Sequence, residues 1–122
     1  MTVIRSQLAD VAAYITRDGS SIRELMHPDV HGNAQQSLAE ASIPPGGATL
    51  LHRHHASEEL YHIISGCGRM RLGDEEFAIT PGDTLLIPPG TPHCLHNTGD
   101  ETLRLFCCCA PAYRHEDTEL LG

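Results

Sequence analysis

The sequence contains no lysine and no tryptophan, and only two of its 122 residues are phenylalanine. Without lysine, the chain cannot form a Schiff base or supply the lysine of a phosphate-binding loop. Sixteen acidic residues against eight arginines give a formal charge of −8, which argues against nucleic acid or an anionic membrane as a partner. Any chemistry must therefore come from other residue types.

Long apolar runs are also absent. The N-terminal segment carries Arg5, Asp10 and Arg17 among short apolar pieces, so it lacks the continuous apolar region of a signal peptide or a membrane span. The five cysteines are odd in number and form no framework typical of secreted proteins. We therefore expect a cytoplasmic protein with free thiols and no disulfides.

Turn signals divide the rest of the chain into short segments of roughly eight to twelve residues, a spacing typical of all-β sandwiches and barrels. Residues 1–18 have a mixed pattern that fits either a short helix or an arm lying against a sheet. No long helix is predicted elsewhere. The predicted strands cover residues 21–26, 35–43, 48–54, 59–65, 69–72, 76–79, 84–87, 93–97 and 102–109.

Histidines and glutamates are concentrated in the stretch LLHRHHASEELYHIISG. His52 and His54 are two residues apart in a predicted strand, so their side chains leave the same face, whereas His55 leaves the opposite face. This pair alone fits two solvated or hydrogen-bonded histidines as well as it fits a metal site. Further residues are needed to decide.

Two motifs supply those residues. The first, G-x5-H-x-H-x4-E-x6-G, runs from Gly46 to Gly66, and the second, G-x5-P-x-G-x2-H-x3-N, runs from Gly82 to Asn97. All ten specified positions match, and fifteen residues separate the motifs. With these motifs the sequence strongly resembles the cupin family, and its short spacing is similar to that of small single-domain microbial cupins.

The resemblance implies an all-β fold, a single antiparallel β-barrel of the jelly-roll type, with a metal site inside. It implies four metal ligands, His52, His54, Glu59 and His93. We accordingly predict an N-terminal arm or short helix over residues 1–20, a cupin barrel over 21–112 and a C-terminal tail over 113–122.

Three imidazoles and one carboxylate suit divalent first-row metals, and they leave two positions of an octahedral field open to water or substrate. We favour Fe, Mn or Ni as the cofactor, while Zn, Co and Cu also fit this ligand set.

Glu58 is the rival for the carboxylate position, because the family tolerates a gap of three residues as well as four. Only Glu59 keeps six residues before Gly66. In a strand, Tyr61 and Ile63 then share the face of Glu59, while Glu58 faces the other way. We therefore assign Glu59.

Tyr61 is the candidate catalytic residue, since it is expected to point into the cavity, where it could donate a proton or orient a substrate. Packing with a satisfied hydroxyl is the alternative. By strand parity His62 and His96 point outward. The run of residues 107–109, three cysteines, is read as part of the core, because successive strand residues alternate faces and buried cysteine behaves as a small hydrophobe.

The function implied is that of a small metal-dependent enzyme, an isomerase, a lyase or decarboxylase, or a dioxygenase, acting on an oxygen-rich organic acid or sugar derivative. Non-catalytic, metal-assisted ligand binding or sensing is the alternative, and a structural barrel with incidental metal is a third possibility. The expected partner is a small molecule. We also expect a homodimer formed through outward-facing Leu60, Ile64 or the N-terminal arm.

Overall fold

The computed structural model describes all 122 residues. It contains eleven strands, one four-residue α-helix and two 3₁₀ turns. In chain order the elements are a 3₁₀ turn (Leu8–Asp10), β1 (Tyr14–Ile15), β2 (Ser21–Met26), α1 (Pro28–His31), β3 (Ser37–Ile43), β4 (His52–His54), β5 (Glu58–Ser65), β6 (Gly68–Leu72), β7 (Glu75–Ile79), β8 (Thr84–Ile87), β9 (His93–Asn97), β10 (Leu103–Ala110), a 3₁₀ turn (His115–Asp117) and β11 (Thr118–Leu120).

The strands form two antiparallel sheets. One has six strands in the order β1-β2-β3-β10-β5-β8, and the other has five in the order β11-β4-β9-β6-β7. The all-β prediction is confirmed. A single closed barrel is not confirmed, because β1, β8, β11 and β7 are end strands with a partner on one side only, so hydrogen bonding does not join the sheets into a ring.

The structure refines the predicted strands. Residues 21–26, 84–87 and 93–97 are strands with the predicted bounds, but only the end of the predicted strand 48–54 becomes a regular strand, β4. Ala48 forms only an isolated bridge with His96 of β9, and the Leu50 amide then donates to the Asp18 carbonyl, so pairing with β9 is interrupted before β4. The N-terminal segment contains one 3₁₀ turn and β1, which pairs with β2.

The core lies between the sheets, and burial alternates most clearly along β5. In β5, Glu59, Tyr61 and Ile63 are buried, whereas the residues between them are exposed. Met70 of β6 is fully buried and faces the same interior. Because a strand presents alternate residues to each face, each sheet contributes one apolar layer to a shared core.

Gly66, which ends the first motif, lies where the chain turns from β5 towards β6. Its φ of +82° favours glycine, and a Cβ there would lie 2.9 Å from the Cα of Leu103. The turn therefore packs directly against the start of β10. Any side chain at residue 66 would push these two segments apart.

Both chain ends contact the sheets. Ser6 of the arm donates its hydroxyl hydrogen to the Leu25 carbonyl of β2, and β11 pairs with β4. The division into an arm (1–20), a barrel (21–112) and a tail (113–122) stays a prediction. No helix in the structure has both the length and the apolar character needed to cross a bilayer.

Candidate metal centre

Three strands bring the proposed ligands together. His52 and His54 come from β4, His93 comes from β9, and Glu59 comes from β5 in the opposite sheet. His52 and His93 are cross-strand partners, so their side chains start side by side. All four side chains are buried, and the most exposed of them, Glu59, is only 5% exposed.

The three imidazoles converge on one point. Their candidate ligand nitrogens lie within 4.8 Å of one another. Glu59 Oε1 lies 3.3 Å from His54 Nε2 and 3.5 Å from His93 Nε2. Two donors bound at right angles to an ion at about 2.1 Å are about 3 Å apart, so these separations suit a shared cation.

Hydrogen bonds to the other ring nitrogens fix the tautomers of two histidines directly. His52 Nδ1 lies 2.6 Å from the Leu50 carbonyl oxygen, and His93 Nδ1 lies 2.9 Å from that of Thr91. A carbonyl only accepts, so each Nδ1 carries the proton. In the neutral rings Nε2 is therefore a bare acceptor, as a metal ligand requires.

His54 is oriented in the same way by a hydroxyl group. Its Nδ1 lies 3.0 Å from Thr118 Oγ1, and that hydroxyl donates its single hydrogen to the Arg114 carbonyl. The His54 Nδ1 must therefore donate to Thr118, which leaves Nε2 bare whenever the ring is neutral. Hydrogen bonds thus hold all three Nδ1 atoms and orient the three Nε2 atoms towards one another.

The unsatisfied atoms of the site fit this assignment. Glu59 Oε1 and His93 Nε2 are buried and have no hydrogen-bond partner. Buried acceptors facing one another are costly unless a proton or a cation lies between them. Three neutral nitrogens and a carboxylate are also the donors that divalent first-row metals accept, so the residues present fit a bound metal.

The pKa shifts favour an ionised Glu59 and a neutral His52, whereas the pKa of His54 moves in the opposite direction. Burial alone raises the pKa of Glu59, but the His54 and His93 imidazoles outweigh burial and bring that pKa down to about 2, so the carboxylate is ionised at neutral pH. Burial, followed by the neighbouring His93, lowers the pKa of His52 and favours its neutral form. Burial also lowers the pKa of His54, but its contacts with Glu59 raise the pKa overall.

Tyr61 lines a cavity of about 40 Å³ together with His54 and Glu59. At roughly 10–15 Å³ per water-sized position, this volume holds about three waters. The Tyr61 hydroxyl makes no hydrogen bond to another protein group, and burial, then the charge of Glu59, raises its pKa well above the ordinary value. The phenol stays protonated and is a free hydrogen-bond donor.

The other histidines and glutamates of the stretch lie elsewhere. His55, His62 and Glu58 are exposed, and so is His96 on the outer face of β9. His62 contacts Thr84 Oγ1 on the neighbouring strand, outside the cavity. None of these side chains reaches the cluster.

Sequence reasoning missed several supporting residues. Cys109 is buried in β10 directly opposite Glu59, and its thiol donates to Glu59 Oε2 at 3.3 Å. Burial, then Glu59, raises the pKa of this thiol, so it remains a donor. Strand parity places residues 107 and 109 on one face, but no pattern in the sequence indicates which strand lies opposite.

Thr118 and Asp18 were also missed. Thr118 belongs to the segment taken as a tail, yet it orients His54. Asp18, from the arm, places its carboxylate 3.4 Å from His52 Nε2. Their sequence separation from the motifs gives no signal that they meet the site.

The fold and the three-histidine cluster fit a metal-binding β-sandwich protein. The cupin domain family matches residues 39–109, which is more than half of the sequence. The chain therefore belongs to the cupin domain family.

One relative and two solved structures are similar to this chain over most of its length. The chain is 50% identical over 121 residues to the uncharacterized protein MJ1618 of Methanocaldococcus jannaschii, covering 99% of this chain and 97% of that protein. Its fold is similar to that of the polyketide cyclase RemF from Streptomyces resistomycificus, with a TM-score of 0.84 and 23% identity over 99% of this chain and 87% of that one. It is also similar to a predicted oxalate decarboxylase from Thermotoga maritima, with a TM-score of 0.77 and 22% identity over 90% of this chain and 99% of that one.

Proposed function

We propose that this cupin is a metal-dependent enzyme that acts on a small, oxygen-rich metabolite, an organic acid or a sugar derivative. The observation that carries the proposal is the cluster of three buried histidine nitrogens within 4.8 Å of one another, with Glu59 Oε1 lying 3.3 and 3.5 Å from two of them. We propose His52, His54, Glu59 and His93 as the ligands of one divalent metal, with Fe, Mn or Ni favoured.

The metal, Tyr61 and the apolar walls of the cavity would each have a different role in the reaction. A bound divalent cation would supply a Lewis acid for substrate oxygens, or a means of activating O₂ if it is iron or copper. Tyr61 holds a proton on its hydroxyl and would donate it, or a hydrogen bond that orients the substrate, to a substrate oxygen. Apolar walls that include Ile43, Leu95 and Leu105 exclude water and strengthen these polar contacts.

The size of the cavity restricts the substrate. A space for about three waters admits only a few non-hydrogen atoms, far fewer than a pocket of about 300 Å³ or more that binds a drug-sized ligand. We propose that the reacting part of the substrate is a carboxylate, hydroxy acid or keto acid group of that size. Isomerase, lyase or decarboxylase, and dioxygenase reactions all remain candidates.

The function is tested with protein purified without an affinity tag and reconstituted with Mn²⁺, Fe²⁺ or Ni²⁺ separately. A panel of organic acids and sugar derivatives is followed for CO₂ release, O₂ uptake and isomerisation. We expect turnover that requires added metal and disappears in His52→Ala. Tight binding of a panel member without turnover would instead indicate a ligand-binding or sensor protein.

Tyr61→Phe removes only the hydroxyl from the cavity. If Tyr61 donates a proton, we expect kcat to fall by about 10²–10⁴-fold. The bound metal should remain stoichiometric, because Tyr61 is not a ligand. Unchanged kcat in this variant would assign Tyr61 to packing alone.

We also propose that two copies of the chain pair through the outer face of the six-stranded sheet. Leu38, Leu60 and Leu86 lie in one row across it, in register through Cys108, and are 37%, 42% and 52% exposed. A row of exposed leucines across neighbouring strands is an apolar surface that a twofold axis can place against itself.

A charge in the middle of this row should separate the copies. For Leu60→Glu we expect the mass measured by light scattering at micromolar concentration to fall from that of a dimer to that of a monomer. Leu50→Glu is the matched control, because Leu50 is 53% exposed but lies outside the sheet face. Monomeric wild-type protein would contradict the proposal.

A further inference from the structure

Asp18 is a second carboxylate at the candidate metal centre. It lies in the turn between β1 and β2, outside the region that matches the cupin domain family. Its side chain is only 14% exposed and lines the same cavity as Glu59 and Tyr61. Neither cupin motif includes this residue.

Hydrogen bonds hold the Asp18 carboxylate in one orientation. Its Oδ1 accepts from the Thr16 hydroxyl at 2.6 Å, and from the backbone amide and the hydroxyl of Ser20 at 2.9 and 2.6 Å. Three donors on one oxygen fix the plane and direction of the group. The second oxygen, Oδ2, is left free to face the cavity.

Asp18 Oδ2 faces a nitrogen that has no hydrogen to offer. The Leu50 carbonyl takes the Nδ1 hydrogen of His52, so in the neutral ring Nε2 is an acceptor, and it lies 3.4 Å from Asp18 Oδ2. The two Glu59 contacts with His54 and His93 have nearly the same length, 3.3 and 3.5 Å. Glu59 thus lies close to two imidazole nitrogens of the cluster, and Asp18 lies close to the third.

We propose that Asp18 Oδ2 is a fifth protein ligand of the metal, an inference that depends on the metal binding proposed above. Three nitrogens and two carboxylates would then neutralise a divalent cation and leave one position of an octahedral field for the substrate. Two anionic oxygens also make the donor set harder, which suits Mn²⁺ and Fe²⁺ better than an all-nitrogen set would. The substrate would bind through a single oxygen atom.

Asp18→Asn is the sharpest test because the hydrogen bonds dictate how the amide sits. The amide oxygen must occupy the Oδ1 position, where three donors point, so the NH₂ group replaces Oδ2 and cannot bind a cation. We expect the Kd for Mn²⁺, measured by calorimetry, to rise by more than about 100-fold, beyond the 10–100-fold effect of an outer-shell partner. A rise of about 100-fold or less, the range of an outer-shell partner, would overturn the proposal.

Asp83→Asn is the matched control. Asp83 also accepts a backbone amide, that of Thr80, through its carboxylate, but it does so in the turn before β8 and does not line the cavity. We expect its Kd for Mn²⁺ to equal that of the wild type. Wild-type protein that binds no metal would refute the proposed function itself, whereas equal binding by wild type and Asp18→Asn would refute only the role of Asp18.

A second measurement uses the unaltered protein and so does not depend on how the variant folds. Pulsed EPR of bound Mn²⁺ in deuterated water counts the water molecules on the ion. Five protein ligands leave room for one water, and four leave room for two. One coordinated water supports Asp18 as a ligand, and two would overturn it.

Discussion

Replacing His93 with alanine is expected to lower the affinity for Mn²⁺ or Ni²⁺ by more than about 100-fold, because loss of a direct ligand exceeds the 10–100-fold effect of an outer-shell partner. His93 is fully buried, and its bare Nε2 has no protein hydrogen-bond partner. It is also the imidazole that links β9 to the β4 pair. Calorimetric titration of metal-free protein measures the loss directly.

His96→Ala is the control for this variant. His96 lies on the same strand but is exposed on its outer face, so its removal should leave the affinity unchanged. Thermal unfolding gives an independent readout: metal at 100 times its Kd should stabilise the wild type by about 2.7 kcal/mol and the His93 variant hardly at all. If His93→Ala binds metal as tightly as the wild type, the ligand assignment is wrong.

Leu103→Ala is expected to lower the free energy of unfolding by about 2–5 kcal/mol. Leu103 is fully buried at the start of β10, opposite Ile43 of β3, and its side chain packs close to Gly68. The glycines at 66 and 68 leave no side chain that could relax into the space. The truncation should therefore leave a cavity between the two sheets.

Urea unfolding at one fixed protein concentration, with chelator present, separates this effect from metal binding and from association. Leu120→Ala is the control, because Leu120 is 40% exposed on the edge strand β11 and should cost less than about 1 kcal/mol. A loss below about 1 kcal/mol in Leu103→Ala would show that the packing at this end of the sandwich is loose.

Local patterns predicted much of this protein. The alternation in β5 puts Glu59 and Tyr61 on the buried face and Glu58 outside, and the structure has that arrangement. The motif positions also marked the turn at Gly66. These features depend on neighbours a few residues apart, and a strand of period two sends their side chains to a fixed face whatever its partners are.

Other features of the structure could not be predicted from local sequence patterns. The expected closed barrel is instead two sheets, because the set of strand partners is a property of the whole chain. The predicted strand at 48–54 is interrupted, since Ala48 forms only an isolated bridge with His96 and the Leu50 amide bonds to Asp18. Cys109 was predicted as a core residue, and only the strand pairing shows that it lies opposite Glu59 and donates to it.

The sequence by itself determined the family, the β character and the side chains that face the interior, because strand periodicity and turn chemistry act over a few residues. Only the tertiary structure decided that Asp18 from the arm and Thr118 from the last strand contact His52 and His54. Those contacts join residues far apart in the chain. Strand pairing and the packing of the two sheets bring them together, and no local sequence pattern predicts which distant segments will meet.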